Sequence, residues 1–288
     1  MTQISKIIAL VNLLEDPDEN IFNQVKNELM DIGSKAIPLL EASWEKDNMG
    51  ELFQKRAFKL IHKLHFNDIF SSLKDWSLNP ISLIDGVLIV DSFTHTSTNK
   101  KELFELLNKM ASDIDSNLKD DMTDLEQVIT INNILYNDYK FKGDKTDYHN
   151  PDNSSFIKMI ENKKGNPLLL SILYLEIVNR LNLPISGVNL PNHFVLGYLD
   201  KNCHESVISS HNFGIIFYIN PFSRGHILQH NEIDEFLLEL KLDQKPRYYS
   251  PCDNIAIIKR LITNLIYSYS KLENKEKVKD FKKLISLF

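Results

Sequence analysis

Two short motifs place hydrogen-bonding side chains beside apolar, alternating segments. Pro191-Asn192-His193-Phe194 carries an imidazole, and Tyr218-Ile219-Asn220-Pro221-Phe222 carries an amide. Upstream, Gly165-Asn166-Pro167 opens an apolar run that continues to Leu175. The order is helix, strand opening with a histidine, strand ending in an amide. In a thiol enzyme the first turn of such a helix holds a cysteine, because its unpaired N–H groups and positive dipole end favour the thiolate. A strand-borne histidine takes the proton, and a third side chain fixes the imidazole tautomer. Here Pro167 stands where the nucleophile would.

Each residue of this set also has a plain structural reading. Asn166 is a good N-cap residue and Pro167 suits the first helical position, so the pair initiates a helix as it stands. Its functional alternative is an anion or carboxylate site at the helix start, beside His193. His193 is either satisfied by a backbone carbonyl or faces a cleft, and the preceding Pro191-Asn192 favours the cleft. Asn220 before Pro221 also marks a strand end, since the residue before proline prefers extended geometry. Ser171 lies one turn beyond Pro167 on the same face and is the nearest hydroxyl, in a position expected to be buried. Cys203 and Cys252 lie away from the helix start and read as inert thiols. Cys203, His204 and His211 are close in sequence, and His226 and His230 are four apart. No spacing among them matches a zinc pattern, so neither a metal nor a cofactor is expected.

The elements that must position these groups follow from apolar spacing. Before residue 118 the chain reads as successive amphipathic helices: Ile4, Ile7, Ile8, Val11 and Leu14, then Ile21, Val25, Leu29 and Ile32, ended by Gly33 as a C-terminal cap. Phe53 to Leu64 and Leu103 to Met110 continue the series, and Ile81 to Val90 is apolar nearly all round, which predicts burial. Residues 122–139 predict a further helix with Leu125, Val128, Ile129 and Leu135 on its apolar side. A polar loop or lid follows over 142–155, anchored by Tyr139, Phe141 and Tyr148. Residues 156–182 return to helix, with Glu176 and Arg180 paired on its one wet edge. From Ile185 the period changes to two, predicting antiparallel strands through Val188 and Leu190, Phe194 to Tyr198, and Ile215 to Ile219. The polar residues 201–213 join two of them as a hairpin connection. Ile227 begins a last short strand and Ile233 to Leu240 a short helix. Two terminal helices carry Ile258, Leu261, Ile262, Leu265 and Tyr269, and Val278, Phe281, Leu284 and Ile285. Tyr248, Tyr249, Tyr267 and Tyr269 read as core or rim packing.

Bulk composition narrows the class. A chain of 288 residues with 43% apolar and 25% charged content is an ordinary globular protein of one to three domains. A net charge of −6 gives no electrostatic reason for a nucleic acid or anionic membrane partner. No run approaches the roughly 20 apolar residues of a membrane span, and no signal peptide is expected at the N-terminus. Two cysteines do not make a secreted disulfide framework, which fits a cytoplasmic protein.

The segment from Ile129 to Gln229 resembles the transglutaminase-like core of the SirB type, a bacterial family. The matching pieces are Asn132-Asn133-Ile134-Leu135-Tyr136, Phe141-Lys142-Gly143, Tyr148-His149-Asn150-Pro151-Asp152-Asn153-Ser154, Gly165-Asn166-Pro167, Tyr174-Leu175-Glu176, Arg180-Leu181-Asn182-Leu183-Pro184, Gly187 to Phe194 and Ile219-Asn220-Pro221-Phe222. The resemblance implies an α+β, predominantly α-helical fold with a papain/transglutaminase-like core, a central helix plus an antiparallel sheet. It also implies that the Cys-His-Asp triad of the catalytic branch falls at Pro167, His193 and Asn220, so that only the histidine is kept; members of this branch commonly lack the cysteine.

Residues 20–45 further resemble a HEAT-type repeat, and the last two helices a tetratricopeptide-type pair. The expected organisation is an N-terminal HEAT-like region over 1–118, the transglutaminase-like core over 119–245 and a C-terminal helical hairpin over 246–288. The function these readings imply is a non-catalytic pseudoenzyme that binds a peptide or protein partner in a cleft formed by Asn166, His193, Asn220 and Ser171. One rival is a hydrolase or acyltransferase in which His193 acts as a general base without a cysteine. Another is a helical adaptor that binds through its N-terminal region.

Overall fold

The structure, a computed structural model, describes residues 3–45, 50–95, 99–145, 150–200 and 213–288. Its architecture is α+β and predominantly helical. The chain divides into two compact units, Met1–Asp75 and Trp76–Phe288.

The first unit is built from α1 (Gln3–Asn12), α2 (Glu19–Ile32), α3 (Ile37–Trp44) and the start of α4 (Glu51–Leu78). Asp18 caps α2 by accepting from the Asn20 N–H. Gly33, at φ 76°, ends the helix in the conformation glycine favours and returns its N–H to Leu29. The apolar stripes meet in one core around Leu14, Leu29, Leu40, Phe53 and Leu64. Arg56 is buried against this core. Its guanidinium donates to the Leu14 and Asp16 carbonyls and to Glu19, so the buried cation has three oxygen acceptors, one of them a carboxylate.

The second unit opens with α5 (Leu83–Asp91), α6 (Lys100–Asp115) and α7 (Asp124–Asn132), the last started by a Thr123–Glu126 capping box. A π-helical turn, Asn133–Asp138, prolongs α7. The expected inner face of this segment needs correction. Val128 and Leu135 are buried, whereas Leu125 and Ile129 are exposed, and Ile131, Ile134 and Tyr136 take their place inside. The wider π turn shifts the face that the residues after Asn132 present, so one α-helical stripe does not run through both halves.

Two-residue strands β1 (Lys142–Gly143) and β2 (Lys164–Gly165) pair in parallel on either side of α8 (Phe156–Asn162). This pairing fastens the polar segment to the start of α9 (Pro167–Arg180). Every residue of α9 from Pro167 to Val178 is buried, as an apolar helix at a domain centre must be. Glu176 and Arg180 pair at 2.7 Å, but Glu176 is buried rather than on a wet edge. Its other carboxylate oxygen accepts the Ile84 N–H at the start of α5, a tertiary bond that helical periodicity does not encode.

Four antiparallel strands follow in the order β3 (Ile185–Val188), β4 (Val195–Leu199), β5 (Ile215–Asn220) and β6 (His226–Leu228). Helix α9 packs against β3 and β4. Val188, Val195 and Tyr218 join Ile233 and Leu237 of α10 (His230–Glu239) in a separate cluster. The sheet is therefore covered on both faces, and Val195 is as buried as Leu196. The connection over 201–212, with Cys203, His204 and His211, lies outside the described residues, as does Tyr148. Helices α11 (Asn254–Lys271) and α12 (Lys275–Ile285) form the terminal hairpin. Among the described residues no helix is long and apolar enough to cross a membrane.

Candidate functional site

Asn166 takes up the N-cap position of α9. Its Oδ1 accepts from the Leu169 N–H at 2.9 Å, while its Nδ2 donates to the Asn153 carbonyl at 2.7 Å. The side chain thus caps the helix and ties it to the 3-10 turn Pro151–Ser154. Pro167 fills the first helical position, where the missing N–H costs no hydrogen bond. Ser171 is fully buried, and its hydroxyl donates back to the Pro167 carbonyl at 2.8 Å. It packs within the helix and does not line the cavity described below.

His193 precedes β4 and sits in a turn, with Asn192 at φ 57° and its own N–H donated to the Leu190 carbonyl. Its ring lies near Phe222 and Phe236, at 6.4 and 6.0 Å between centroids. Burial pushes the imidazole pKa below its ordinary value; a hydrogen bond to Asn220 opposes this, and the Arg260 charge adds to it. The ring is therefore neutral near pH 7. Asn220 ends β5, and its side chain also caps the next turn through the Ser223 N–H. Behind it, Gly225 donates its N–H to the Asn220 carbonyl while its own carbonyl accepts from Asn132. At φ 74°, and with the Asn132 amide where a Cβ would project, that position requires glycine.

Asn166, Pro167 and His193 face a cavity of about 750 Å³, a size suited to a small ligand or short peptide. Ser154, Pro191, Asn192 and Phe222 complete its near side. The far wall is α11, which contributes Arg260, Thr263, Asn264, Tyr267 and Ser268. Sequence reasoning missed this wall. The signal was present as a polar face of α11 opposite its buried stripe, but a polar helix face ordinarily meets solvent. Tyr267, expected as core or rim packing, is 48% exposed and lies at the cavity. Asn220 meets the cavity only through the His193 ring. Gly143 allows the Phe222 ring to approach, since a Cβ there would meet ring carbons at 2.7 Å.

Two further features bear on chemistry. Cys252 is the described thiol; burial pushes its pKa up to about 12, which makes it unreactive at neutral pH. His95 is a histidine that sequence reasoning did not single out. Its Nδ1 lies 3.6 Å from Asp91 and its Nε2 3.3 Å from Asp152. Asp91 is itself buried and accepts the Ile157 N–H. Hydrogen bonding to Asp91 raises the His95 pKa against partial burial, and the Asp91 and Asp152 charges add to the rise. Among the described residues no group of three His, Cys, Asp or Glu could hold a metal ion.

A family model described as the transglutaminase-like superfamily matches residues 101–263. The chain belongs to the transglutaminase-like superfamily. This transglutaminase-like protein is 29% identical to F-box only protein 21 of Mus musculus over 136 residues, 47% of this chain and 21% of that protein. It is 23% identical to the UPF0162 protein YchA of Escherichia coli strain K12 over 197 residues, 67% of this chain and 69% of that protein. A UPF0162 protein of Xylella fastidiosa is 23% identical over 154 residues, 51% of this chain and 50% of that protein. The chain thus spans about a fifth of the F-box relative and half of the Xylella one. No solved structure matches it.

Proposed function

We propose that this transglutaminase-like protein is a non-catalytic member of the SirB-type branch, a pseudoenzyme whose cleft binds a peptide or protein segment as a regulatory scaffold. One observation carries this reading: the helix start is capped, tethered and open to a cavity, yet the residue in the cysteine's place is Pro167. His193 and Asn220 supply an oriented neutral imidazole, and no thiol is among the described residues that line the cavity. On this reading residues 1–118 are the HEAT-like region, 119–245 the core and 246–288 a tetratricopeptide-like hairpin that also walls the cleft.

The test is turnover of peptide esters and amides, with and without thiol alkylation. No His193-dependent turnover is expected, while short peptides shift the NMR signals of cleft residues. Hydrolysis or amide transfer that survives alkylation and disappears in His193→Ala would establish the second reading, in which His193 acts as a general base on water. That reading is favoured by the ring's place on the cavity wall and its neutral state near pH 7.

A further inference from the structure

We propose that the cleft reads the main chain of its ligand: the carboxamides of Asn192 and Asn264, on opposite walls, hydrogen-bond to the peptide groups of an extended segment. The inference rests on the binding reading above and adds which ligand groups are recognised, and by which residues.

Three carboxamides are among the described residues that line the cavity: Asn166, Asn192 and Asn264. Asn166 spends both of its atoms on the fold, Oδ1 on the Leu169 N–H and Nδ2 on the Asn153 carbonyl. Among the described residues neither Asn192 nor Asn264 has a partner for its side chain. Backbone geometry explains part of the choice at Asn192. Its φ of 57° is one that asparagine adopts readily, in a turn closed by the His193 N–H on the Leu190 carbonyl. Asn264 has no such reason. It lies half-buried in the interior of α11, where asparagine is a poor helix former and caps nothing.

The two carboxamides are held in register by one clamp. Arg260 Nη1 donates from α11 to the Asn189 Oδ1 at 3.1 Å and to the Leu190 carbonyl at 3.2 Å. Asn264 follows Arg260 by one helical turn, and Asn192 follows Leu190 by two residues. The spacing between the walls is thereby set before a ligand arrives, which lowers the ordering cost of binding. Both asparagines also border a narrow recess together with Pro167 and His193, so they meet the same part of a ligand.

A carboxamide carries an acceptor and two donors in one plane. It complements the C=O and N–H of a peptide group and pairs with it whatever the side chain. Main-chain bonds of this kind supply affinity, while pockets beside them sort side chains. Pro191 and Phe222 offer apolar surface for that second task. The bound segment is therefore an extended peptide read chiefly through its amides and tolerant of sequence.

Calorimetric titration of the full chain with N-acetyl-Ala-Leu-Phe-Ala-amide, and with its analogues N-methylated at one internal amide at a time, tests the inference. Methylation of at least one amide is expected to weaken binding about five-fold, the loss of one neutral hydrogen bond. Asn264→Ala and Asn192→Gly, the latter keeping the turn conformation, should each weaken the parent peptide by a similar factor. The methylation penalty should largely disappear in one of them. Neither side chain bonds within the fold, so thermal midpoints should stay close to that of the unaltered chain. If Asn192→Gly loses its fold, Asn264→Ala and the methylated series still decide. Full affinity for every methylated analogue, or a penalty of the same size in both variants, would overturn the inference and leave peptide binding standing. Absence of binding by the parent peptide would overturn both, because recognition through the main chain admits any extended neutral sequence.

Discussion

The second unit holds two histidines in opposite surroundings. His193 stands on the cavity wall beside an amide and a guanidinium, and its pKa is pushed down. His95 stands between two carboxylates, and its pKa is raised. The pairing of imidazole with carboxylate that a catalytic triad needs therefore exists in this molecule, away from the cleft. There it acts as a brace. Asp91 ends α5 and Asp152 lies in the 3-10 turn Pro151–Ser154, whose Asn153 and Ser154 receive the Asn166 side chain. Charge is spent on holding the frame of the cleft, whereas the described residues that line the cleft are neutral groups and Arg260.

Four experiments would break or sharpen this contrast. The largest effect is expected for Asp91→Ala, which removes the buried carboxylate beside His95 and the acceptor of the half-buried Ile157 N–H; urea unfolding should show a loss of about 3 kcal/mol. A loss within the range of a surface substitution would mean that the cluster is not a brace. Asn166→Ala removes a helix cap together with the tether to Asn153, and a loss of about 2 kcal/mol is expected by the same method.

The pH dependences should run in opposite directions. His95 has a raised pKa when folded, so its stabilisation is fully present below its unfolded value near 6.5 and is lost as pH rises through the folded pKa. His193 has a lowered one, so its neutral form contributes stability above about 6.5 that is lost as pH falls through the folded pKa. Thermal midpoints of His95→Gln and His193→Gln against the unaltered chain, across about pH 4 to 8, should diverge at opposite ends. Ring titrations in the same order for both histidines would remove the contrast. The smallest effect is expected for Asp152→Asn. Asp152 is exposed, so only a few tenths of a kcal/mol are at stake, but the His95 titration should move to lower pH by NMR.

The central helix, the strand order and the capping role of Asn166 were legible in the sequence because each rests on local preference. Asn before Pro starts a helix, unbroken apolar residues bury it, and period-two segments pair as strands. Motif residues such as Asn132 and Gly143 were legible as motifs, but their reasons emerge only in three dimensions. Asn132 holds the Gly225 turn, and Gly143 makes room for the Phe222 ring. Two features could not be placed from local pattern alone. The α11 wall needs a distant helix to dock with its polar face inward. The His95 cluster adds to Asp91, four residues before it, the distant Asp152, which no local spacing points to. The burial of Glu176 was missed for the same reason, since its partner at Ile84 lies in another helix.

The far wall of the cleft has a consequence for the order in which the molecule assembles. Arg260 meets Leu190 across a separation of 70 residues, Asn254 meets Pro80 across 174 and Lys277 meets Phe93 across 184. Closing such long loops loses more chain entropy than any contact within the sheet, which places docking of the terminal hairpin late in folding. The cleft is completed by that same event. A ligand that fills it binds the docked chain alone and should slow hydrogen exchange along α11 more than in α9, so occupancy of the site can be read from the motion of the last helices to arrive.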